Sequence, residues 1–319
     1  MWNVNFTPPQ VIEARVLTRM PDDLRLPRRS AWADANKPGQ IADSFLEGPT
    51  FDQHGNLYLT DIPHGRIFRV SPGLHWEVVG DTGGWPNGIA LHRDGSLWIA
   101  DYRCGLLRCN PASGDIEVVL GHRNSESFKG LNDLTFDAAG NLYFTDQGQT
   151  GLHDPTGRVY RLRPSGQLDQ ILSNVPSPNG IVIDPSGRFL FVAATRANAV
   201  WRMPLLPDGS VSKAGAFQTF FGTSGPDGLA MDHDGRLVVA HASLGGAFVI
   251  DAHGWCTHFV RSPSGGTVTN IAFRPGTNRL VMTESASGCV LEAELPGAGA
   301  PLFGDSAIGN RPHFVDALS

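Results

Sequence analysis

Short apolar runs alternate along most of the chain with turns rich in glycine, asparagine and aspartate. In "LEGPTFDQHGNLYLTD" (46–61), one apolar run enters such a turn and a second run, "LYLT", leaves it. This pattern predicts a β-hairpin, because Gly and Asp permit a tight turn and the flanking residues favour strands. The periodicity predicts no long amphipathic helix anywhere in the chain.

The hairpin pattern occurs six times. The copies begin at residues 47, 87, 132, 179, 227 and 270. Third and fourth strands often follow, as in "GRIFRV" (65–70) and "WEVVG" (76–80). A period of about 45 residues with four short strands per unit is typical of a β-propeller blade, and a ring of such units leaves no long sheet edge exposed. We therefore predict an all-β fold, a six-bladed β-propeller with four-stranded blades, formed by a single domain over residues 1–319.

Closure of the ring requires a strand from the opposite terminus. The segment "EARVLTRMP" (13–21) is the candidate outer strand of the last blade, whose inner strands lie at 270–295. Two β-sandwiches are the alternative architecture. Six copies in unbroken register argue against the domain boundary that this alternative needs.

Composition narrows the class of partner. Hydrophobic residues make up 41% of the chain and charged residues 18%, which predicts a folded globular protein. The net charge of −6 indicates neither nucleic acid nor an anionic membrane as a partner. No apolar run has the roughly 20 residues that span a bilayer, and the N-terminus lacks a signal-peptide pattern, so we expect a cytoplasmic monomer or small homo-oligomer. The four cysteines lack metal-ligand spacing and are expected to be reduced thiols.

The first residue of each inner strand reaches one rim of the central channel in a propeller. In all six copies this residue carries a side-chain oxygen: Glu47, Asn87, Asn132, Asn179, Asp227 and Asn270. Carboxylate and amide oxygens without His or Cys form a site for one hard divalent cation, with calcium expected first and magnesium, manganese or zinc as alternatives. Strand entries also favour Asn and Asp as turn formers, which accounts for a single copy but not for Glu47.

The second strand of each hairpin ends at the same rim. Its last residues are Asp61, Asp101, Asp146, Ala194, His241 and Glu284. We expect most of them to cap a strand end or bind backbone; for His241 a structural role competes with that of a proton shuttle. The polar loop "DQGQTGLHDPTGR" (146–158) is predicted to form a lid or wall over the rim, with His153 as a candidate substrate contact.

Several motifs give the chain a family resemblance. They are "EGP" (47–49), "LNDLTFD" (131–137), "GNLYFTDQ" (140–147), "SPNG" (177–180) and "GPDG" (225–228). In order and spacing they resemble the gluconolactonase, regucalcin and luciferin-regenerating-enzyme family of six-bladed propellers, from about residue 15 onward. The resemblance implies that Glu47, Asn179 and Asp227 hold a single catalytic metal and that Asn132 completes the shell or holds substrate. Gly130 stands where sugar-lactonase members often carry an arginine that anchors sugar hydroxyls.

The implied reaction is metal-dependent opening of a lactone, a cyclic ester. The metal would polarise the carbonyl and activate water, with Asp227 as general acid/base and with Asn132 and Asn87 binding the substrate. No G-x-S-x-G motif of a serine nucleophile is found in the sequence. Two alternatives stay open: a phosphotriesterase-like hydrolase that uses the same metal site, and a non-catalytic, metal-stabilised binding propeller.

Overall fold

The computed structural model describes residues 8–305. The chain begins with strands β1 (Gln10–Glu13) and β2 (Arg15–Arg19) and helix α1 (Ala31–Asn36). Blade 1 consists of β3 (Leu46–Phe51), β4 (Leu57–Asp61), β5 (Arg66–Val70) and β6 (Trp76–Asp81). Blade 2 consists of β7 (Pro86–Leu91), β8 (Leu97–Asp101), β9 (Gly105–Cys109) and β10 (Ile116–Leu120). A two-stranded ribbon follows, formed by β11 (His122–Arg123) and β12 (Glu126–Ser127).

The remaining blades repeat this order. Blade 3 consists of β13 (Leu131–Phe136), β14 (Leu142–Asp146), β15 (Gly157–Leu162) and β16 (Leu168–Val175). Blade 4 consists of β17 (Pro178–Ile183), β18 (Phe189–Ala194), β19 (Ala199–Pro204) and β20 (Gly215–Thr219). Blade 5 contains β21 (Pro226–Met231), β22 (Leu237–His241), β23 (Gly246–Ile250) and β24 (Cys256–Arg261). Blade 6 contains β25 (Val268–Phe273), β26 (Arg279–Glu284) and β27 (Cys289–Glu294). Short 3₁₀ turns lie at Asp22–Leu24, Ile62–His64, Thr195–Ala197 and Phe303–Asp305.

The blades form a ring around a central axis. Each inner strand contacts the inner strands of both neighbouring blades, and β25 of blade 6 returns to β3 of blade 1. Apolar side chains fill the space between adjacent sheets; Trp98, Phe136 and Phe144, for example, belong to one buried cluster between blades 2 and 3. The protein is therefore a six-bladed β-propeller, as the repeat predicts.

The N-terminal segment closes this ring. Strand β2 pairs antiparallel with β27 and completes blade 6, which confirms the predicted closing strand. Strand β1 adds a fifth strand to blade 5, parallel to β24, an addition that the sequence pattern did not predict. Between them, the Ala14 N–H donates to the Arg261 carbonyl at 3.0 Å. The first described residues thus join blade 5 to blade 6.

A β-bulge opens every inner hairpin. In blade 2 the pairing moves from Pro86↔Asp101 to Ile89↔Ile99, and blades 3 to 6 show the same irregularity. In blade 1 the shift begins one residue later, after the pair Glu47↔Thr60. A bulge leaves a residue out of the ladder and changes the direction of its side chain. The residues inside these bulges include the polar positions that the sequence predicts for the rim.

Carboxylates at the ends of the second strands hold the connections between blades. Asp61 accepts a hydrogen bond from the Phe45 N–H at 2.8 Å, and Asp146 accepts one from the Gly130 N–H at 2.9 Å. Glu284 accepts from the Thr267 N–H at 3.0 Å in the same way. The predicted structural role of these residues is confirmed.

Within residues 8–305, no helix is long and apolar enough to cross a membrane. All four cysteines are free, as the sequence predicts.

Candidate active site

A cavity of about 140 Å³ lies at the rim where the inner strands begin. Five of the predicted polar positions line it: Glu47, Asn87, Asn132, Asn179 and Asp227. The remaining lining residues are Trp32, Asn36, Phe45, Ile62, Trp85, Tyr102, Gln147 and Gln149. The structure therefore brings together, from five blades, the residues that the sequence assigns to metal and substrate.

The sixth predicted position is wrong by one residue. The register Val268↔Glu284 makes Thr269, not Asn270, the counterpart of Asn87 in the bulge. The Thr269 hydroxyl is 2.6 Å from that of Ser285, inside the ring wall, and Thr269 does not line the cavity. Asn270 instead lies on the inner side of the bulge, where Nδ2 donates to Glu47 Oε2 at 2.8 Å.

Glycines in the motifs leave room for these inner side chains. A Cβ on Gly88 would lie 2.2 Å from Asp133 Oδ1, and a Cβ on Gly228 would lie 2.0 Å from Asn270 Oδ1. Asp133 and Asn270 thus occupy space that only glycine in the preceding blade permits. Both residues line a second cavity of about 350 Å³, which runs between the inner strands away from the rim.

Glu47 is held in a buried position. Its Oε2 accepts hydrogen bonds from its neighbour's backbone, Gly48 N–H at 2.8 Å, and from the Asn270 amide. Burial raises the pKa of Glu47, and the hydrogen bonds from Asn270 and Gly48 lower it part of the way. The carboxylate is therefore fixed in direction but incompletely stabilised as an anion.

Two further buried carboxyls interact with Glu47. Burial first, and then the charges of Glu47 and Asp133, raise the pKa of Asp227 well above its ordinary value. Burial and the charge of Glu47 raise the pKa of Asp133 to about 8. Like charges at short range in a low-dielectric interior cannot all ionise cheaply, so this group of acids favours either protons or a cation.

The amide side chains in the cavity have defined orientations. Asn87 Nδ2 donates to the Trp85 carbonyl at 2.9 Å, and Asn132 Nδ2 donates to Gln147 Oε1 at 3.0 Å. These bonds use one N–H of each amide and fix its orientation, and Oδ1, which carries the lone pairs, is the atom of each amide that is suited to a cation or to an electrophilic substrate atom.

This donor set fits a hard divalent cation. Two carboxylates and three amide oxygens are the ligand types that calcium prefers. Among the residues that the structure describes, no three His, Cys, Asp or Glu side chains are close enough together to hold an ion by themselves. A cation here would depend on the Asn oxygens as well as on Glu47 and Asp227.

Sequence reasoning missed the side of the cavity formed by the N-terminal segment. Trp32 and Asn36 belong to helix α1, and Phe45 precedes β3; none of them lies in a repeat. Trp85 directly precedes β7, and Tyr102 directly follows β8. Their place in the lining could have been predicted from the sequence, because one lies next to a rim residue motif and the other next to a strand end at the same rim.

The loop 146–158 was predicted to form a wall. Gln147 and Gln149 from this loop line the cavity, but His153 does not. His241 is also outside the cavity: it is buried beside Phe220 and Phe248, and burial lowers its pKa to about 4. Its surroundings are those of a neutral structural histidine rather than a proton shuttle.

The chain is similar in sequence to a known family and to proteins named as lactonases. A model of the SMP-30/gluconolactonase/LRE-like region matches residues 45–286. A protein named lactonase drp35 from Staphylococcus epidermidis is 30% identical over 257 residues, which cover 74% of this chain and 77% of that protein. Lactonase drp35 from Staphylococcus aureus is 30% identical over 269 residues, covering 79% and 80%.

Solved structures add relatives at the level of fold. A gluconolactonase from Xanthomonas campestris superposes with a TM-score of 0.71 at 23% identity, over 88% of this chain and 99% of that one. Regucalcin from Agrobacterium tumefaciens, a calcium-binding protein, superposes with a TM-score of 0.72 at 21% identity, over 93% and 99%. These identities establish a shared fold, whereas the family model and the sequence relatives establish kinship. The chain belongs to the SMP-30/gluconolactonase/LRE-like family.

Proposed function

We propose that the protein is a lactonase that holds one divalent cation in the cavity of about 140 Å³. Calcium is the first candidate for this cation. The observation that carries this proposal is the convergence on that cavity of two buried carboxylates and three amides from five blades, two of the amides being oriented by hydrogen bonds. The sequence relatives named lactonase and the calcium-binding regucalcin fold support it.

Glu47, Asn179 and Asp227 would hold the cation, with Asn132 completing the shell. When bound, a divalent cation supplies Lewis-acid polarisation of a carbonyl and acidifies water. Its charge would also compensate the mutual repulsion that raises the pKa values of Glu47 and Asp227.

The side chains of the cavity would orient the substrate and transfer protons. Asp227 would accept the proton of the attacking water at its carboxylate and return a proton to the leaving alkoxide of the opened ring. Asn270 and the Gly48 N–H hold Glu47 in one direction, which keeps the site preorganised. Asn87 and Asn132, fixed by Trp85 and Gln147, would bind and orient the lactone.

The test uses Asp227→Asn, which keeps a ligand oxygen but removes the acid/base. Metal content is measured by elemental analysis, and hydrolysis is measured on a panel of lactones with and without chelator. We expect the variant to retain a cation and to lose at least about 100-fold in kcat/KM, as removal of a general acid/base commonly does.

Asp234→Asn is the matched control, since Asp234 lies in the exposed β21–β22 turn, 59% exposed, away from the cavity. The control should keep both metal and activity. Full activity in Asp227→Asn would remove Asp227 from the mechanism. Failure of cation-loaded wild-type protein to hydrolyse any lactone would overturn the proposed function.

A further inference from the structure

Four aromatic side chains line one side of the candidate active site. Trp32 and Phe45 lie with ring centroids 4.8 Å apart, and Trp85 and Tyr102 lie 5.5 Å apart. Phe45 and Trp85 both pack against the buried cluster that contains Trp32 and Ile62. The four rings therefore form one continuous apolar surface, here called the aromatic wall.

Tyr102 has a fixed place in this wall. Gln149 Nε2 donates to the Tyr102 hydroxyl at 3.0 Å. Gly130 has φ of +147°, and a Cβ at this residue would lie 2.4 Å from the Tyr102 ring. The Tyr102 ring thus occupies the space that a side chain at residue 130 would need. A residue larger than glycine at this position therefore cannot project into the site.

Amides form the rest of the lining beside the two acids. Five of these six amides use one of their two N–H groups within the protein: Asn36, for example, donates to the Trp32 carbonyl at 2.9 Å and Gln147 to Ser177 Oγ at 3.0 Å. Asn87, Asn132 and Gln149 each donate to another lining residue. These bonds fix the orientation of the amides on one side of the cavity, whereas a substrate hydroxyl that faces the aromatic wall loses its water partners without replacement, which is costly.

No Lys, Arg or His is among the described residues that line the cavity. The nearby cations contact ring faces instead: Lys37 Nζ is 4.5 Å from the Phe45 centroid, and the Arg103 guanidinium carbon is 5.5 Å from the Trp85 centroid. Apart from the proposed cation, the lining therefore offers no charged partner for a phosphate or carboxylate on the substrate.

The volume limits the substrate as well. About 140 Å³ is close to the roughly 150 Å³ of an engineered apolar cavity that accommodates benzene. A single ring is comparable in size to this space, whereas a fused second ring would extend beyond it and meet the aromatic wall at the mouth of the cavity.

We propose that the aromatic wall makes the site selective for uncharged, single-ring lactones with an apolar face, at the expense of polyhydroxylated, anionic and fused-ring lactones. This inference rests on the proposed lactonase function and assigns specificity to Trp32, Phe45, Trp85 and Tyr102. Helix α1 and the segment before β3 act as specificity-determining elements outside the repeat.

The first experiment compares kcat/KM of the cation-loaded protein for δ-valerolactone, glucono-δ-lactone and a benzo-fused δ-lactone. We expect δ-valerolactone to exceed glucono-δ-lactone by at least about 100-fold, since the hydroxyls of the sugar lactone that face the aromatic wall would lose their water partners without replacement. Trp32→Ala should raise the ratio of fused-ring to single-ring kcat/KM about tenfold. Trp32→Phe, a smaller change that keeps an aromatic ring, should raise it less, and thermal melting verifies that both variants fold.

Trp255→Ala is the matched control, because Trp255 is 50% exposed beside the β23–β24 turn, away from the cavity. It should leave the ratio unchanged. A wild-type preference for glucono-δ-lactone, or an unchanged ratio in folded Trp32→Ala, would refute the role of the aromatic wall while leaving the lactonase proposal intact.

A binding measurement separates this inference from the proposed function. The lactam δ-valerolactam has the shape of δ-valerolactone without its ester, and tryptophan fluorescence reports its entry beside Trp32 and Trp85. Quenching by the lactam, lost in Trp32→Ala and kept in Trp255→Ala, supports the aromatic wall even if no lactone is hydrolysed. Absence of both quenching and inhibition by the lactam would overturn the inference.

Discussion

Asp133→Asn in cation-free protein is the most direct test of the acid that is buried beneath the candidate site. Asp133 is 8% exposed, and its Oδ1 accepts a hydrogen bond from the Leu134 N–H at 2.9 Å. Burial and the charge of Glu47 raise its pKa to about 8. Asparagine keeps the size and the acceptor oxygen but carries no ionisable proton, so the substitution isolates the cost of the acid.

The sign of the effect follows from proton binding. An unfolded Asp loses its proton near pH 3.8, whereas folded Asp133 retains it up to about pH 8. The folded state binds more protons across this window, so the stability associated with Asp133 is present at low pH and is lost as the pH rises. At about 1.4 kcal/mol per pH unit, retention of the proton costs about 4 kcal/mol by pH 7. The variant avoids this cost.

Denaturant unfolding at pH 5 and pH 8 in the presence of chelator measures the difference. Wild-type protein should lose free energy of unfolding between these pH values, and Asp133→Asn should lose about 2 to 4 kcal/mol less. Glu47 and Asp227, whose pKa values are also raised, would account for the remaining slope. Asp23→Asn, at an exposed site, is the control and should follow wild type. An unchanged slope in Asp133→Asn would refute the assignment of a buried proton to this residue.

Two further predictions concern packing and closure of the ring. Gly130→Ala should lower the free energy of unfolding by about 2 kcal/mol, because residue 130 has a positive φ and the added Cβ would clash with Tyr102. In a Tyr102→Ala background the part of this loss that comes from the clash should disappear. Gly187→Ala, at φ +70° with no atom within 4 Å of the added Cβ, measures the cost of a left-handed alanine without a clash. An undiminished loss from Gly130→Ala in the Tyr102→Ala background would exclude the clash. Deletion of residues 1–14 removes β1 and should leave a cooperative fold, whereas deletion of 1–20 also removes β2 and should open blade 6. Circular dichroism and melting compare the two truncations, and identical stability would contradict closure by β2.

Much of the architecture was predictable because its causes are local and repeated. Apolar alternation and turn residues specify each hairpin, and six copies of one pattern reduce the ambiguity of any single copy. The closing strand β2 followed from the requirement that a ring leave no free edge. The position of β1 did not, since a parallel fifth strand on blade 5 answers no such requirement.

The candidate site was predictable in part for the same reason. Asn87, Asn132, Asn179 and Asp227 lie in equivalent bulges, Glu47 lies at the edge of one, and all five line one cavity, although their roles stay predictions. The error at blade 6 was a slip of one residue, because two adjacent polar residues both suit a strand entry. Only the pairing of β25 with β26 decides which of them occupies the bulge.

By itself, the sequence determined the blades, their number and the polar residues that begin most inner strands, because these depend on neighbours along the chain. The tertiary structure decided what surrounds those residues. Asp133 becomes a buried acid only because Gly88 in the preceding blade leaves room for it. Trp32 and Phe45 reach the cavity from a segment without any repeat, and nothing in their local pattern encodes the distant strands that they approach. Burial and shared electrostatics arise from contacts across blades, which only the closed ring creates.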